Sequence, residues 1–491
     1  MKEKPSYNRW LILVVLMIAA MSGALMQTSL GRALPTLMTA FNIDLSTAQQ
    51  ATTWFLLVNG MMIPLSAYLA NRIPTKALHI VAYVLLLAGV AMSMFTPEQK
   101  DMWWLFVAGR IVAAMAVGIM MPMLQVLIIN MFKPEERGAA MGLVVGMSPA
   151  IGPTLTGWIL NKNHTILGMT LSDNWRSIFV IPFIIIIIAT VLAPFLLKNV
   201  METKKLKLDY ASLILSVAGF GLFLWGFTNV ATRGWSDFGQ VIAPIVAGVL
   251  LLAAFAWRQL KLLVPFLDIR VFAKKEFTIP TVALLLATMA MYGVEMMLPT
   301  YLQNVRGLSA LDSGITLMWG ALFMGFMSPV AGVLFNKVGV KMLCFFGFGV
   351  LALGTVPYVF LNETTPTVVI SVLYALRMAG IALVMMPLTT AAMGALPDEK
   401  GADGTAANNT LRQVSSSVVV ALLTSIVQNV ITNNTPSASL KTTDPVQYAG
   451  KVLNASMDGF QTAFLISLIF AIIGFVFVFV FFMKDDQKGE E

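Results

Sequence analysis

Five ionisable side chains stand inside long apolar runs of this sequence: Arg32, Arg110, Glu295, Arg377 and Arg412. A charge at the centre of a lipid bilayer costs about 2.5–3.5 kcal/mol on insertion scales, so each is expected to have a function or a partner. Glu295 is the only acid among the five. It alone could readily gain and lose a proton, because arginine stays charged in proteins. We therefore predict that Glu295 is the proton-exchanging group.

Arg32 and Glu295 occupy similar places in their apolar runs. Arg32 lies three residues before Pro35, and Glu295 lies four residues before Pro299. Both fall in the outer halves of their predicted helices, and we hypothesise that they face each other across a cavity or share its aqueous space. A ligand that disturbs the pair would change the free energy of protonating the acid. A fixed ion pair that only closes the outer side is the alternative.

The runs that hold these residues are long enough to be membrane-spanning helices. Of the 491 residues, 58% are hydrophobic and 11% are charged, whereas a soluble domain carries about 25% charged residues. A bilayer span needs about 20 apolar residues, and within one chain segment only a helix satisfies its own backbone in lipid. We predict an all-α integral membrane protein whose fourteen spans lie at 10–38, 47–70, 77–96, 102–131, 138–160, 175–197, 209–231, 239–258, 277–303, 309–335, 340–361, 366–395, 404–431 and 459–483.

Lysine and arginine set the predicted orientation. If the N-terminus is cytoplasmic, most of the lysines and arginines that lie between the predicted spans fall in cytoplasmic connections. The even number of spans then places the C-terminus in the cytoplasm as well. The net charge of +8 is therefore explained by topology, and we expect no nucleic-acid partner. The connection 432–458 is predicted to be a solvated outer loop.

Other chemistries lack their sequence signatures. The single cysteine, Cys344, excludes an internal disulfide, and His79 and His164 stand alone near helix ends. The sequence contains no P-loop, HExxH, CxxC or haem pattern. We expect no enzymatic activity, no metal site and no cofactor.

The two ends of the chain repeat each other. Pro64, Asn71 and Lys76 recur at one constant spacing as Pro329, Asn336 and Lys341, and Met120-Met121-Pro122 recurs at the same spacing as Met385-Met386-Pro387. The repeat pairs the first six spans with the last six and leaves two inserted spans between them. It predicts a 6+2+6 arrangement of a six-helix bundle (1–197), a linker with two inserted helices (198–260) and a second bundle (261–491). Parallel repeats of this kind bind their ligand near the bilayer midplane.

Several motifs resemble those of a known family. They are Ala33-Leu34-Pro35, the loop 64–76, Arg110, the element GMSPAIGPTLTG at 146–157, Pro299–Gln303 and Asn409-x-x-Arg412-Gln413. Over nearly its whole length the chain resembles the fourteen-helix drug:proton antiporter family of the major facilitator superfamily, the EmrB/QacA and lincomycin-exporter type.

The resemblance implies a proton-coupled secondary transporter that exports lipophilic or amphipathic small molecules by alternating access, as in multidrug efflux. Its energy source would be the proton gradient, its partners would be protons, these substrates and the lipid bilayer, and it would be a monomeric multi-pass protein of a bacterial plasma membrane. The alternative is a lipid or amphipathic-metabolite transporter with weak or no proton coupling. Four intramembrane arginines against one glutamate suit an anionic or neutral substrate. A non-transporting receptor or scaffold would need no internal repeat.

The resemblance also implies roles for particular residues. Arg110 matches an arginine with a part in proton transfer, and a structural bond to neighbouring carbonyls is the alternative. Gly146, Gly152, Pro153 and Gly157 match the antiporter signature, in which a bend and close helix contact serve export. Ordinary helix packing would explain the same residues.

The loop at 71–76 is predicted to close the cytoplasmic face. Arg72 and Lys76 could bond helix-end carbonyls or an acid, or could be positive-inside anchors. The family's aspartate and glycine in this loop are replaced by Asn71 and Pro74. Arg412 is expected to have a packing or gating role.

The family's usual acid in the first helix is also missing, because Met26 and Gln27 stand before Thr28. Proton coupling therefore cannot rest on that acid. Methionine adapts to varied apolar ligands. We predict a cavity lined by Met26, Gln27, Met291, Met296 and Arg377.

Overall fold

The computed structural model of the chain describes residues 8–43, 45–132, 136, 140, 155, 158–159, 163–166, 169–171, 174–200, 209–263, 265, 267–397 and 400–483. These residues are mostly helical and form two compact units. Unit 1 contains residues 1–222, 247–274 and 393–410, and unit 2 contains residues 223–246, 275–392 and 411–491.

Unit 1 is built around one apolar helix. Its helices are α1 (Arg9–Thr28), α2 (Leu30–Phe41), α3 (Leu45–Arg72), α4 (Thr75–Met94), α5 (Trp103–Met131) and α6 (Ser177–Leu196). The antiparallel strands β1 (His164–Ile166) and β2 (Met169–Leu171) precede α6. The unit also holds the first part of α7 (Tyr210–Arg233), the last part of α8 (Ala243–Lys261) and the first part of α12 (Gly401–Asn434). Helix α5 packs against α1, α3 and α4, and it is apolar on all faces, as a buried helix must be.

Unit 2 holds the remaining parts of α7, α8 and α12. Its other helices are α9 (Lys275–Asn304), α10 (Ala310–Thr355), α11 (Thr367–Gly394), α13 (Ala438–Thr443) and α14 (Pro445–Val478). Helix α14 packs against α9 and α10. Within α10, Gly339 has a φ of 79° and breaks the helix, a conformation open to glycine because it lacks a Cβ. This break falls between the predicted spans 309–335 and 340–361.

The helical membrane fold is confirmed. Eleven helical segments within the described residues are long and apolar enough to cross a membrane, and one of them, Asp312–Phe360, contains the break at Gly339. Helix α3, which corresponds to the predicted span 47–70, is not among the eleven, and several of its side chains lie outside the described residues. The predicted span 138–160 lies mostly outside the described residues, so the count of fourteen stays a prediction.

Two local expectations are wrong. The first predicted span is two helices, because α1 ends at Thr28 and α2 begins at Leu30, with Ser29 between them. The expected outer loop 432–458 is largely helical. Asp444 caps α14 by accepting from the Gln447 N–H at 2.9 Å, and Pro445 occupies the first helical position.

Glycine contacts bring two pairs of helices together. A Cβ on Gly89 of α4 would lie 2.4 Å from the Ala113 nitrogen of α5, and a Cβ on Gly380 of α11 would lie 2.7 Å from the Leu351 nitrogen of α10. A backbone atom cannot turn aside as a side chain can, so any larger residue would separate the helices. These contacts fix α5 and α11, the helices that carry the two buried arginines.

Candidate functional site

Arg377 on α11 is fully buried in unit 2 and is held by α9 and α10. Its Nε donates to Thr355 Oγ1 at 3.0 Å, and its Nη2 donates to the carbonyls of Ala290 and Met291 on α9. Thr355 in turn donates to the carbonyl of Leu351 at 2.6 Å, which fixes the hydroxyl. Among the described residues, Nη1 has no hydrogen-bond partner. The guanidinium is therefore clamped on two sides and keeps one donor free.

Glu295 on α9 is half-buried and interacts electrostatically with Arg377. No direct ion pair joins these two described residues. Tyr358 and Tyr374 also interact with Arg377, and Tyr374 fits because a Cβ on Gly320 would lie 2.1 Å from its ring. Glu295 can thus change its charge beside Arg377 without breaking a hydrogen bond of the guanidinium.

Arg110 on α5 is the corresponding buried arginine of unit 1. Its Nη1 donates to the carbonyl of Met26 at 2.6 Å, in the last turn of α1, where carbonyls lack partners within the helix. Its guanidinium carbon lies 4.2 Å from the ring centroid of Phe55. No acidic side chain of the described residues forms an ion pair with it, and its Nε and Nη2 have no partner among them. This bond to the Met26 carbonyl is the kind of contact between helices that a structural role of Arg110 would require.

The two arginine sites follow the sequence repeat. Met26 and Met291 have the same spacing as Pro64 and Pro329, and each offers its carbonyl to a buried arginine. Arg377 is shifted by two residues from the position that this spacing would give. In unit 1 the arginine of α5 thus contacts a carbonyl of α1, and in unit 2 the arginine of α11 contacts a carbonyl of α9. These helices are the fourth and the first of each repeat.

The other predicted cavity residues lie near these contacts or on their helices. Met26 and Met291 are buried, Gln27 is half-buried, and Met296 is 45% exposed. Arg32 is in α2 of unit 1, but its side chain is outside the described residues. Its pairing with Glu295 of unit 2 therefore stays a prediction.

The predicted gating residues are only partly described. Lys76 Nζ donates to the carbonyl of Pro194 in the last turn of α6 at 2.5 Å, and Arg72 donates to the Tyr68 hydroxyl at 2.9 Å. The side chain of Asn71 lies outside the described residues, as do Gly146, Gly152, Pro153 and Gly157. Arg412 on α12 is half-buried and interacts with Tyr292, and its Nε has no partner among the described residues.

Sequence reasoning missed several residues that shape these sites. Thr355, Tyr358, Tyr374 and Phe55 contact or interact with a buried arginine. A hydroxyl or an aromatic ring in an apolar helix is common, so residue type alone gives no signal. Tyr374 lies three residues before Arg377 on α11, so helical spacing could have placed it beside the arginine. Thr355 comes from another helix, α10, and only the fold brings it to Arg377.

The fold and the two arginine sites define a multi-pass membrane protein with an internally repeated helical core. The family model described as "Major Facilitator Superfamily" matches residues 16–420 of the chain. The chain therefore belongs to this superfamily of membrane transporters.

Comparison with individual proteins supports the assignment. The chain is 38% identical over its whole length to "Uncharacterized MFS-type transporter YcnB" of Bacillus subtilis, covering 98% of that protein. It is 35% identical to "Lincomycin resistance protein LmrB" of Bacillus subtilis over 98% of this chain and 97% of the relative, which confirms the resemblance to the lincomycin-exporter type. The structure of the proton:xylose symporter XylE matches with a TM-score of 0.57 at 13% identity, covering 94% of each chain, and shows the fold. The protein is a multi-pass transporter of the bacterial cell membrane.

Proposed function

We propose that this transporter exports lipophilic or amphipathic small molecules by proton-coupled alternating access. The observation that carries the proposal is the acid Glu295 on a membrane helix, beside the buried Arg377 but not bonded to it. A carboxyl group in such a place can bind and release a proton, whereas arginine supplies a constant charge. The name of the relative LmrB supports a drug as substrate.

Coupling would work through competition for Glu295, which lies beside Arg377. When Glu295 is ionised, its carboxylate would bind a donor group of the substrate. When Glu295 is protonated, that binding would weaken and the substrate would be released, so that the proton and the substrate cross the membrane in opposite directions. Arg32 and Arg110 would adjust the charge of the same aqueous space, and Met26, Gln27, Met291 and Met296 would line it.

The proposed architecture keeps fourteen membrane helices in a 6+2+6 arrangement with both termini in the cytoplasm. The first bundle would span 1–197, the inserted pair with its linker 198–260, and the second bundle 261–491. The transporter would act as a monomer, use no cofactor and draw its energy from the proton gradient. Residues Asn71, Arg72, Lys76 and Arg412 would belong to the gates, together with Gly146, Gly152, Pro153 and Gly157 of the antiporter motif.

A second candidate is movement of a lipid or amphipathic metabolite with weak or no proton coupling. Arg377 Nη1 and Arg412 Nε are buried donors without a partner among the described residues. Both lie in unit 2 with Glu295, the one acid among the five charged residues predicted inside the membrane, and this excess of positive charge suits an anionic headgroup.

Uptake into inverted membrane vesicles tests the proposal. A fluorescent lipophilic dye is followed with and without an imposed proton gradient, for the wild type and for Glu295→Gln. We expect gradient-driven accumulation in the wild type and its loss in the variant, because the amide cannot carry a proton. Glu363→Gln, at an exposed position between α10 and α11, is the matched control and should accumulate dye normally.

The alternatives predict other results. Accumulation that survives Glu295→Gln would assign coupling to another group. Movement of an anionic fluorescent lipid at equal rates with and without the gradient would favour the second candidate.

A further inference from the structure

The inserted helices α7 and α8 are joined by polar contacts at one end. Arg258 forms a two-pronged ion pair with Asp209, with N–O distances of 2.9 and 3.2 Å. Gln259 Nε2 donates to Ser212 Oγ at 2.6 Å, and both of these side chains are buried. This end of the pair is therefore fixed within unit 1.

Gln259 also binds the segment that follows α8. Its Oε1 accepts the backbone N–H of Leu267 at 3.2 Å. Both ends of the amide are thus used, one on α7 and the other on the linker. If this buried amide lost either partner, a polar group would be left unsatisfied, which is costly. Gln259 therefore connects α7 firmly to the linker.

Asp268 continues the chain of contacts to the start of α12. Its Oδ2 lies 3.0 Å from Lys400 Nζ, and its backbone N–H donates to Asp403 Oδ1 at 3.3 Å. Its Oδ1 accepts from the Arg270 N–H at 3.1 Å. The Asp268 side chain is 12% exposed, so this ion pair is screened less than a surface pair. We call the set Gln259, Leu267, Asp268, Lys400 and Asp403 the linker clasp.

An apolar cluster lies around the clasp. Tyr68 of α3, Phe255 of α8, Leu267 of the linker and Ala406 of α12 pack together as buried residues. One turn further along α12, Asn409 Nδ2 donates to Gln125 Oε1 of α5 at 2.9 Å. Residues 393–410 therefore belong to unit 1, whereas α12 from Leu411 onward belongs to unit 2.

We propose that Gln259 and Asp268 are positioning residues of the transport cycle, through which the inserted helix pair holds the start of α12 in the closed position of the cytoplasmic gate. The proposal rests on the alternating access proposed above. In such a cycle the second six-helix set moves against the first. Residues 400–409 belong to the second six-helix set by sequence but pack within unit 1, so in that cycle their contacts with the rest of unit 1 would break and form again. The clasp makes this step depend on the inserted pair, which lies outside the repeat.

Cysteine accessibility tests the clasp without any substrate. Cys344 is replaced by alanine, and Ala407→Cys, at a buried position of α12, reports access of a membrane-impermeant thiol reagent in inverted vesicles. We expect the Asp268→Asn variant to be labelled about tenfold faster than the parent protein. This is the effect of a tenfold increase in the fraction of protein in which the gate is open. Gradient-driven dye accumulation should fall in parallel. Lys400→Gln, at the half-exposed end of the ion pair, should act in the same direction.

Rescue separates positioning from general instability. The exchange Asp268→Lys with Lys400→Asp should restore slow labelling and transport, because it restores the ion pair. Glu98→Gln breaks the ion pair of Arg176 with Glu98 and should leave labelling slow. A reporter at Ala463→Cys, buried in α14 of unit 2, should not change in any variant.

Unchanged labelling in both Asp268→Asn and Lys400→Gln would overturn the proposal, as would equal increases at Ala407→Cys and Ala463→Cys. The accessibility result stands apart from the proposed function: if the wild type moves no dye, export fails as a function while labelling still decides whether the clasp exists.

Discussion

The two units carry the same buried contact in different surroundings. In unit 1, Arg110 bonds the Met26 carbonyl and lies over the ring of Phe55. In unit 2, Arg377 bonds the Met291 carbonyl, a threonine hydroxyl and a second carbonyl, with Glu295 and two tyrosines in electrostatic range. The repeated part is a bond from arginine to a backbone carbonyl. The part that differs is a titratable acid.

This difference separates structural from chemical roles. A bond to a carbonyl holds two helices together and needs no proton, so it can be present twice. A side chain that changes charge is costly in a membrane, and one such group is enough for coupling. We infer that Arg110 mainly fixes helices, whereas the Arg377 site adds the acid that responds to pH.

Moving the acid to the other unit should have the largest effect. Leu30 has the same spacing to Glu295 as Met26 has to Met291, and it is buried at the start of α2. We expect Leu30→Glu with Glu295→Leu to abolish gradient-driven accumulation, because Arg377 would lose the acid that interacts with it. The measurement is dye uptake into inverted vesicles, normalised to the amount of protein in the membrane.

The single variants complete that experiment. Glu295→Leu alone should be as inactive as the double variant, and Leu30→Glu alone should retain some transport. Recovery of gradient-driven uptake in the double variant would mean that either arginine can serve the acid, and the distinction between the units would fail.

Removing one neighbour of each arginine should have an intermediate effect. Thr355→Val keeps the shape but leaves Arg377 Nε without its acceptor, which should cost about 1–3 kcal/mol of stability. Phe55→Leu removes the ring from Arg110, and a cation–π contact contributes about 0.5–2 kcal/mol. Thermal unfolding of the purified protein measures the stability, and vesicle uptake measures transport.

The ratio of the two readouts matters more than either alone. We expect Thr355→Val to reduce transport more than Phe55→Leu at similar loss of stability. Equal transport in the two variants would indicate that Thr355 only supports packing.

The sequence was sufficient for most of the helices, whereas the predicted loop 432–458 is largely helical. Apolar length marked the helices, and the constant spacing from Pro64 to Pro329 pointed to the paired units in which Met26 and Met291 have equivalent contacts. The fold also follows from the chain itself, because lipid leaves no alternative to intrahelical bonds. The interruption at Ser29 was not predicted, because the apolar pattern runs through it and the Met26 carbonyl at the end of α1 accepts a hydrogen bond from Arg110 of another helix.

The surroundings of the charges could not be predicted in the same way. Thr355 reaches Arg377 from another helix because glycine contacts bring α10 and α11 together. Asp268 lies in a polar stretch of the sequence that looks like an ordinary linker, and its partner Lys400 is more than a hundred residues away. Such contacts depend on tertiary geometry, whereas a helix in lipid depends mainly on its own residues.

The smallest effect is expected at the partly exposed ion pair between Asp209 and Arg258 of the inserted helices, which is less buried than the two arginine sites. Partial burial raises the pKa of Asp209, but hydrogen bonds from Arg258 and Ser212 outweigh it, so the pKa lies below its usual 3.8. A lowered pKa stabilises the fold above the usual value, and this contribution is lost as the pH falls through the lowered pKa. Asp209→Asn should therefore lower the apparent Tm by on the order of 1 °C at pH 7, as expected for about 0.5–1 kcal/mol from an exposed pair. The difference should persist at pH values above 3.8, shrink below that value, and disappear once the pH falls below the lowered pKa of Asp209. Glu363→Gln should show no difference at any pH, and a constant offset for Asp209→Asn across the whole range would mean that packing, not charge, holds this end of the pair.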